Sequence, residues 1–257
     1  MKLRLFALLC YLSFSLMASA QASGGQIRRS TTTATTAKKQ KKPNLPPNSV
    51  KLDDGTIVQY ETTKAVDLGL PSKTIWAGWN IGANSPLEVG SYYAWGETEE
   101  KEEYDWNTYF DIESIQTTIF GEYVNPKFKK YHVNGVMSII GTDQDVAHVK
   151  WGEPWQMPSK KQVEELMNCC KLSTVMLPNN KWVSIFTGPN GKSLIFPNGG
   201  EKYKKEIRDY NLIWSGDLRP YSEASSQNSY FAYHLGWNRV YSEGFRCFGM
   251  NVRAVMK

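Results

Sequence analysis

Three kinds of side chain in this sequence could do covalent chemistry or hold a ligand: thiols, imidazoles and dense carboxylates. Cys169 and Cys170 are adjacent, and Cys247 follows Arg246 directly. A thiol attacks only as its thiolate, and a neighbouring guanidinium favours that form. Cys247 with Cys170 or Cys169 is therefore the candidate for cysteine-dependent redox or modifying chemistry. The competing reading is structural, because Cys247 falls within a predicted strand and Cys170 on the apolar face of a predicted helix. His132, His148 and His234 are isolated. No Gly-x-Ser-x-Gly, His-Glu-x-x-His or phosphate-loop pattern occurs. An enzymatic reading rests on cysteine alone, so the chain reads as non-enzymatic.

No cofactor is expected. Calcium is the alternative, since it takes six to eight oxygens from carboxylates and carbonyls. Glu97, Glu99, Glu100, Glu102, Glu103 and Asp105 crowd one stretch, and Asp143 and Asp145 form a second pair. A run of acids is more often a solvated face. Aromatic and polar side chains in two late loops offer a different chemistry. Asp217, Arg219 and Tyr221 belong to a predicted loop over 217–229, and Trp237, Asn238, Arg239 and Tyr241 to one over 236–244. Aromatic faces stack on sugars, and Trp, Tyr and Arg dominate protein contacts. If the two loops lie side by side, these seven residues form one surface for a glycan or a surface protein.

The elements that must position these groups are mostly short. One helix stands out. Pro158-Ser159 opens it, Gln162 completes a capping box, and Val163, Leu166, Met167 and Cys170 share one face. Around it lie predicted strands at Ile57–Glu61, Lys73–Trp79, Ser91–Gly96, Val175–Leu177, Trp182–Thr187, Lys192–Phe196, Leu212–Ser215, Tyr230–Leu235 and Phe245–Val255. Gly188-Pro-Asn-Gly191 joins two of them as a hairpin. The stretch Ile112–Lys150 is hard to assign, apart from one short helical turn over Asp143–Val149. About eight or nine short strands with one good helix make an α+β class.

Residues 1–20 have the layout of a secretory signal: Lys2 and Arg4, an apolar run over Leu5–Met17, then Ala18-Ser19-Ala20 before a cut at Gln21. That predicts export to the periplasm, the cell surface or the medium. No other run is apolar enough to span a bilayer. Residues 21–50 are a Thr-, Lys- and Pro-rich stretch, read as a disordered basic linker, and 51–257 as one domain. The first fifty residues hold eight Lys and Arg and no acid. Removing those eight from the 30 leaves 22 basic against 25 acidic residues in the domain, which excludes a folded nucleic-acid binder. Of the four cysteines Cys10 lies in the signal, and in an oxidising compartment the three that remain imply one disulfide and one spare thiol. Neighbouring cysteines bond each other with strain, so the expected pair is Cys247 with Cys170 or Cys169.

Several motifs then fall in a recognisable order. Ala65-Val-Asp-Leu-Gly-Leu70, Ile75-Trp-Ala77, Asn80-Ile-Gly-Ala83 and Gly90-Ser-Tyr-Tyr-Ala-Trp-Gly-Glu-Thr98 come first. Trp151-Gly-Glu-Pro-Trp-Gln-Met-Pro-Ser159, Thr187–Ser193, Ile213-Trp-Ser215 and Arg246–Val255 follow. Over 65–257 the chain resembles the Fibrobacter succinogenes major paralogous domain family, found mainly in exported proteins of Bacteroidetes and Fibrobacter relatives. The resemblance implies a C-type-lectin-like or formylglycine-generating-enzyme-like architecture: a small twisted antiparallel sheet, one main helix and long loops. It is also what would set the two late loops side by side. Gly244-Phe-Arg-Cys247 resembles the end of formylglycine-generating enzymes, but their other motifs are not evident. The family commonly carries Cys where this chain has Trp79, paired with a helix-end Cys that aligns with Cys170. With Trp79 in place the resemblance leaves Cys170 free or bonded to Cys247. Ala254 replaces a usual proline.

Overall fold

The capping box forms as its spacing predicts. Ser159 Oγ accepts from the Gln162 N–H at 3.2 Å, and Gln162 Oε1 accepts from the Ser159 N–H at 2.9 Å. The helix it starts, α2 (Lys160–Cys169), buries Val163 and Leu166 completely, with Cys170 at its C-cap also buried and Met167 half-buried beside them. Each fully buried side chain of this kind contributes about 1.5–3 kcal/mol. A shorter helix, α1 (Val146–Trp151), lies just before it, capped by Asp145.

This computed structural model describes residues 45–117, 124–131, 136–208, 211–219, 230–236 and 240–256. They belong to one compact unit that begins at Asn44. Structure therefore starts before Lys51, since β1 (Ser49–Lys51) pairs with β2 (Ile57–Gln59). The signal and most of the linker read from the sequence lie outside the described residues. Among the described residues no helix is long and apolar enough to cross a membrane.

Among the described residues the architecture is β-rich α+β: small antiparallel sheets with two helices. Strand β4 (Ile75–Ala77) lies between β3 (Ala65–Asp67) and β15 (Val255–Met256). β5 (Ile112–Thr117) pairs with β6 (Val124–Phe128). β7 (Lys171–Met176), β8 (Trp182–Thr187) and β9 (Ser193–Pro197) form a meander, with the expected turn joining the last two. β10 (Glu201–Tyr203) and β11 (Glu206–Arg208) form a small hairpin. β12 (Asn211–Leu218), β13 (Phe231–Gly236) and β14 (Val240–Phe245) form a second meander that packs on α2.

The predicted closing strand Phe245–Val255 is replaced by something more central. β14 ends at Phe245, the chain turns, and residues 249–255 thread the interior. Met250 pairs with Tyr93, the Trp214 N–H donates to Asn251 O, the Ile81 N–H to Val252 O and the Ala77 N–H to Ala254 O, and Val255 bridges Gln156. Met250 through Val255 are all fully buried. Alternation fails here because both sides of the segment are covered. Arg253 is buried with the rest. Its Nε donates to Asn80 Oδ1 (2.7 Å), Nη1 to Ala77 O (3.1 Å) and Nη2 to Ile195 O (3.0 Å), while its guanidinium stacks on Phe196. Burial lowers its pKa to about 9.

Candidate functional site

The two late connections flank one strand, β13. The connection from β12 to β13 spans 219–230, and the one from β13 to β14 spans 237–239, so they leave β13 at opposite ends. A six-residue strand sets those ends about 17 Å apart. The predicted loop over 236–244 is instead mostly β14. Asp217 is already engaged: its Oδ2 accepts from the Lys160 N–H at 2.7 Å and so serves the first turn of α2. The Arg219 N–H donates to Phe231 O at 3.2 Å, and its guanidinium lies 5.8 Å from the Phe231 ring. Tyr241 is placed by its backbone opposite His234. Tyr221, Trp237, Asn238 and Arg239 lie outside the described residues.

The disulfide is likewise corrected. Cys169, Cys170 and Cys247 are all free. Cys170 packs with Val163, Leu166 and Phe186, whereas Cys247 packs with Tyr104, Tyr109 and Phe128 in a separate cluster. Burial pushes the Cys170 thiol up to about 12 and the Cys247 thiol well above its ordinary range. Arg246 does not reverse this. It is itself fully buried, with its guanidinium 3.7 Å from the Phe128 ring centroid and Nη1 3.5 Å from Asp111 Oδ2. Desolvation of the thiolate outweighs one nearby cation.

The acidic stretches meet but are occupied. Glu97, Glu99, Glu100 and Asp143 line one open cleft of about 420 Å³. Within it Glu97 accepts from Lys101 Nζ (2.8 Å) and the Phe110 N–H (3.0 Å), Glu99 from Lys150 Nζ (2.6 Å), and Glu100 from the Tyr92 N–H (3.3 Å). Asp105 accepts from the Thr108 N–H at 3.0 Å. Among the described residues no three of His, Cys, Asp and Glu are placed to hold a metal ion.

Asp145 builds a different concavity. Its carboxylate is fully buried and accepts from the N–H groups of Gly141 (2.9 Å), Ala147 (2.9 Å), His148 (3.1 Å) and Met157 (2.8 Å). Burial raises its pKa, and these backbone donors oppose the rise. One side chain thus ties the 141 loop, the start of α1 and the strand-like run before α2 into one frame. α1 ends at Gly152, whose φ of 72° turns the chain into the cis bond Glu153–Pro154. Gln156 is fixed by a two-way bridge to Val255 (2.9 and 2.8 Å).

The result is a cleft of about 250 Å³ lined by Gly141, His148, Glu153, Pro154, Trp155 and Gln156. Glu153 and Pro154 are exposed, His148 and Gln156 half-buried, and Trp155 forms a buried wall. The side chains of His148, Glu153 and Gln156 have no hydrogen-bond or ion-pair partner among the described residues. A carboxylate, an imidazole and an amide together offer acceptors and donors around an apolar wall, as a hydroxyl-rich ring requires. Sequence reasoning missed this site. His148 stood alone, and Trp151-Gly-Glu-Pro-Trp155 entered only as part of a motif shared with the resembled family. The one local signal was Glu-Pro after a glycine, which marks a turn.

Comparison with protein-family models, with curated proteins and with solved structures finds no match for this chain.

Proposed function

We propose that this chain is an exported, C-type-lectin-like binding module, akin to the Fibrobacter succinogenes major paralogous domain family, that recognises a glycan or a protein of a cell surface. It does so at the cleft of His148, Glu153 and Gln156 rather than across the late loops. The observation that carries this reading is that three polar side chains stand unspent on a frame fixed by the buried Asp145. The space suits one sugar ring or one side chain. The burial of Cys170 and Cys247 supports binding over cysteine-dependent chemistry, since both thiols are held protonated.

The test is a screen of immobilised glycans and surface proteins, followed by titration of any ligand found. Glu153→Gln and Gln156→Ala each weaken binding about tenfold or more, the loss of one or two good hydrogen bonds. Trp237→Ala and Tyr241→Ala leave it unchanged. The reverse pattern would return the site to the late loops.

A further inference from the structure

Beside the cleft lies a second surface of different chemistry. Trp151, the last residue of α1, is half-buried. Its ring meets Trp155 edge-on with centroids 5.3 Å apart. Trp155 is the wall of the cleft, so the two surfaces adjoin across one indole. Lys64, exposed just before β3, holds its Nζ 4.3 Å from the centroid of Trp151 and 5.6 Å from that of Trp155. Lys101, Lys150 and Lys160 each pair with a glutamate. Lys64 has no carboxylate partner among the described residues, in a domain where acids outnumber bases.

From this juxtaposition, and resting on the cleft reading above, we infer that the face of Trp151 under Lys64 is a second subsite, and that it takes an anionic sugar residue. An ammonium over a part-exposed indole is held by only about 1 kcal/mol. It lifts off readily and then meets a carboxylate, while the ring it uncovers stacks on the sugar's C–H face. The order of residues follows from charge. Glu153 in the cleft repels an acid there and accepts hydroxyls instead. Lys64, over Trp155 and Trp151 and outside the cleft lining, favours an acid. The ligand class is a glycan in which a neutral sugar is linked to a uronic acid.

The experiment is calorimetric titration of the intact chain with hyaluronan oligosaccharides, which alternate N-acetylglucosamine and glucuronate, and with their carboxyl-reduced form. Chondroitin sulfate oligosaccharides test whether a sulfate serves as well as a carboxylate. Wild type binds the acidic form about tenfold tighter than the reduced form, and this preference shrinks as salt rises. Lys64→Met removes the preference. Trp151→Ala weakens both forms. Lys64→Met replaces an exposed residue, so its folding, checked by circular dichroism, is retained. Equal binding of both forms by wild type, or a preference that survives Lys64→Met, overturns the subsite and leaves the cleft standing. A preference for the sulfated over the uronate probe overturns the assignment to a carboxylate. Absence of binding to either hyaluronan form overturns this ligand class, while the broader screen decides on the cleft by itself.

Discussion

Trp95 and Trp214 fasten the same two segments to each other in opposite directions. The Trp95 indole N–H donates to Ser215 O at 3.0 Å, and the Trp214 indole N–H donates to Tyr93 O at 2.9 Å. Both rings are fully buried in the cluster that also holds Met157 and Trp155. The pair therefore locks β12 to the 93–95 run beneath the cleft. Trp95→Phe takes the indole donor from the buried Ser215 O, Trp214→Phe takes one of the two donors of Tyr93 O, which keeps the Met250 N–H, and each change leaves a void where ring atoms were. Each costs about 2–4 kcal/mol. The two changes share one junction, so their combination departs from additivity by about 0.5 kcal/mol or more. Urea denaturation of the four proteins measures both quantities, and simple additivity would separate the two bonds.

The three thiols differ in exposure, and labelling reads that difference. Cys169 is half-buried, whereas Cys170 and Cys247 are buried with their pKa values raised. Native protein at neutral pH therefore takes up a thiol reagent at Cys169 first, and at the other two only on unfolding. No reduction step is needed to expose any of them. A thiol count that rises after reduction would mean that a bridge had formed, against the separation of the Cys170 and Cys247 clusters.

What the sequence revealed was local. The capping box of Ser159 and Gln162 and the Gly188-Pro-Asn-Gly191 turn each concern neighbours in the chain, and both stand as predicted. Short strands were harder. β1, β3, β10 and β11 have three residues each and β15 has two, too few to reveal a period. β6 carries Pro126, which argues against a strand, yet it pairs with β5. The Ser91–Gly96 stretch makes only one bridge, at Tyr93, and turns at Trp95 and Gly96, because its partners are the buried 246–250 run and not a neighbouring ladder.

The candidate site was illegible for a different reason. His148 comes from α1, Glu153 from a turn, Gln156 from a bridge to the far end of the chain, and Gly141 from a preceding loop. Asp145 ties Gly141 and His148 to Met157, next to Gln156, and in the sequence Asp145 looked like half of a calcium pair. Its role as a clasp depends on backbone N–H groups, which every residue has and no motif records.

Gly199 gives a sharp steric test. A Cβ there would sit 1.9 Å from Asn251 Oδ1 and 2.8 Å from Val89 Cγ1. Asn251 cannot yield, because its Nδ2 donates to Ser91 O at 2.9 Å and its residue lies in the buried terminal run. Gly199→Ala therefore destabilises by about 1–3 kcal/mol or more. Gly152 is the contrast: its φ of 72° is unfavourable for alanine, but nothing lies within 4 Å of the added carbon. Gly152→Ala costs about 1–3 kcal/mol, from the backbone conformation alone. Thermal melts of the two variants measure the steric and the conformational penalty separately, and an unchanged melt for Gly199→Ala would show that the close approach at Gly199 relaxes.

His234 makes stability depend on pH in a definite direction. It is buried beside Trp214, with ring centroids 5.9 Å apart, and burial lowers its pKa from 6.5 to about 4. Above pH 6.5 it is neutral in both folded and unfolded chains and contributes no slope. Between pH 6.5 and about 4 the unfolded chain binds the proton and the folded chain does not. Stability is therefore lost as pH falls through that window, by up to about 3 kcal/mol. Asp145 acts the other way: with its folded pKa raised, the folded chain takes up that proton first and gains as pH falls. His234→Gln keeps Asp145 and removes only the imidazole. Denaturant unfolding of both proteins from pH 7 to pH 4 should give the variant a flatter decline than wild type, whatever its starting stability. Parallel curves would mean that His234 accepts its proton in the folded state, and that the meander of β12, β13 and β14 opens far enough to hydrate it.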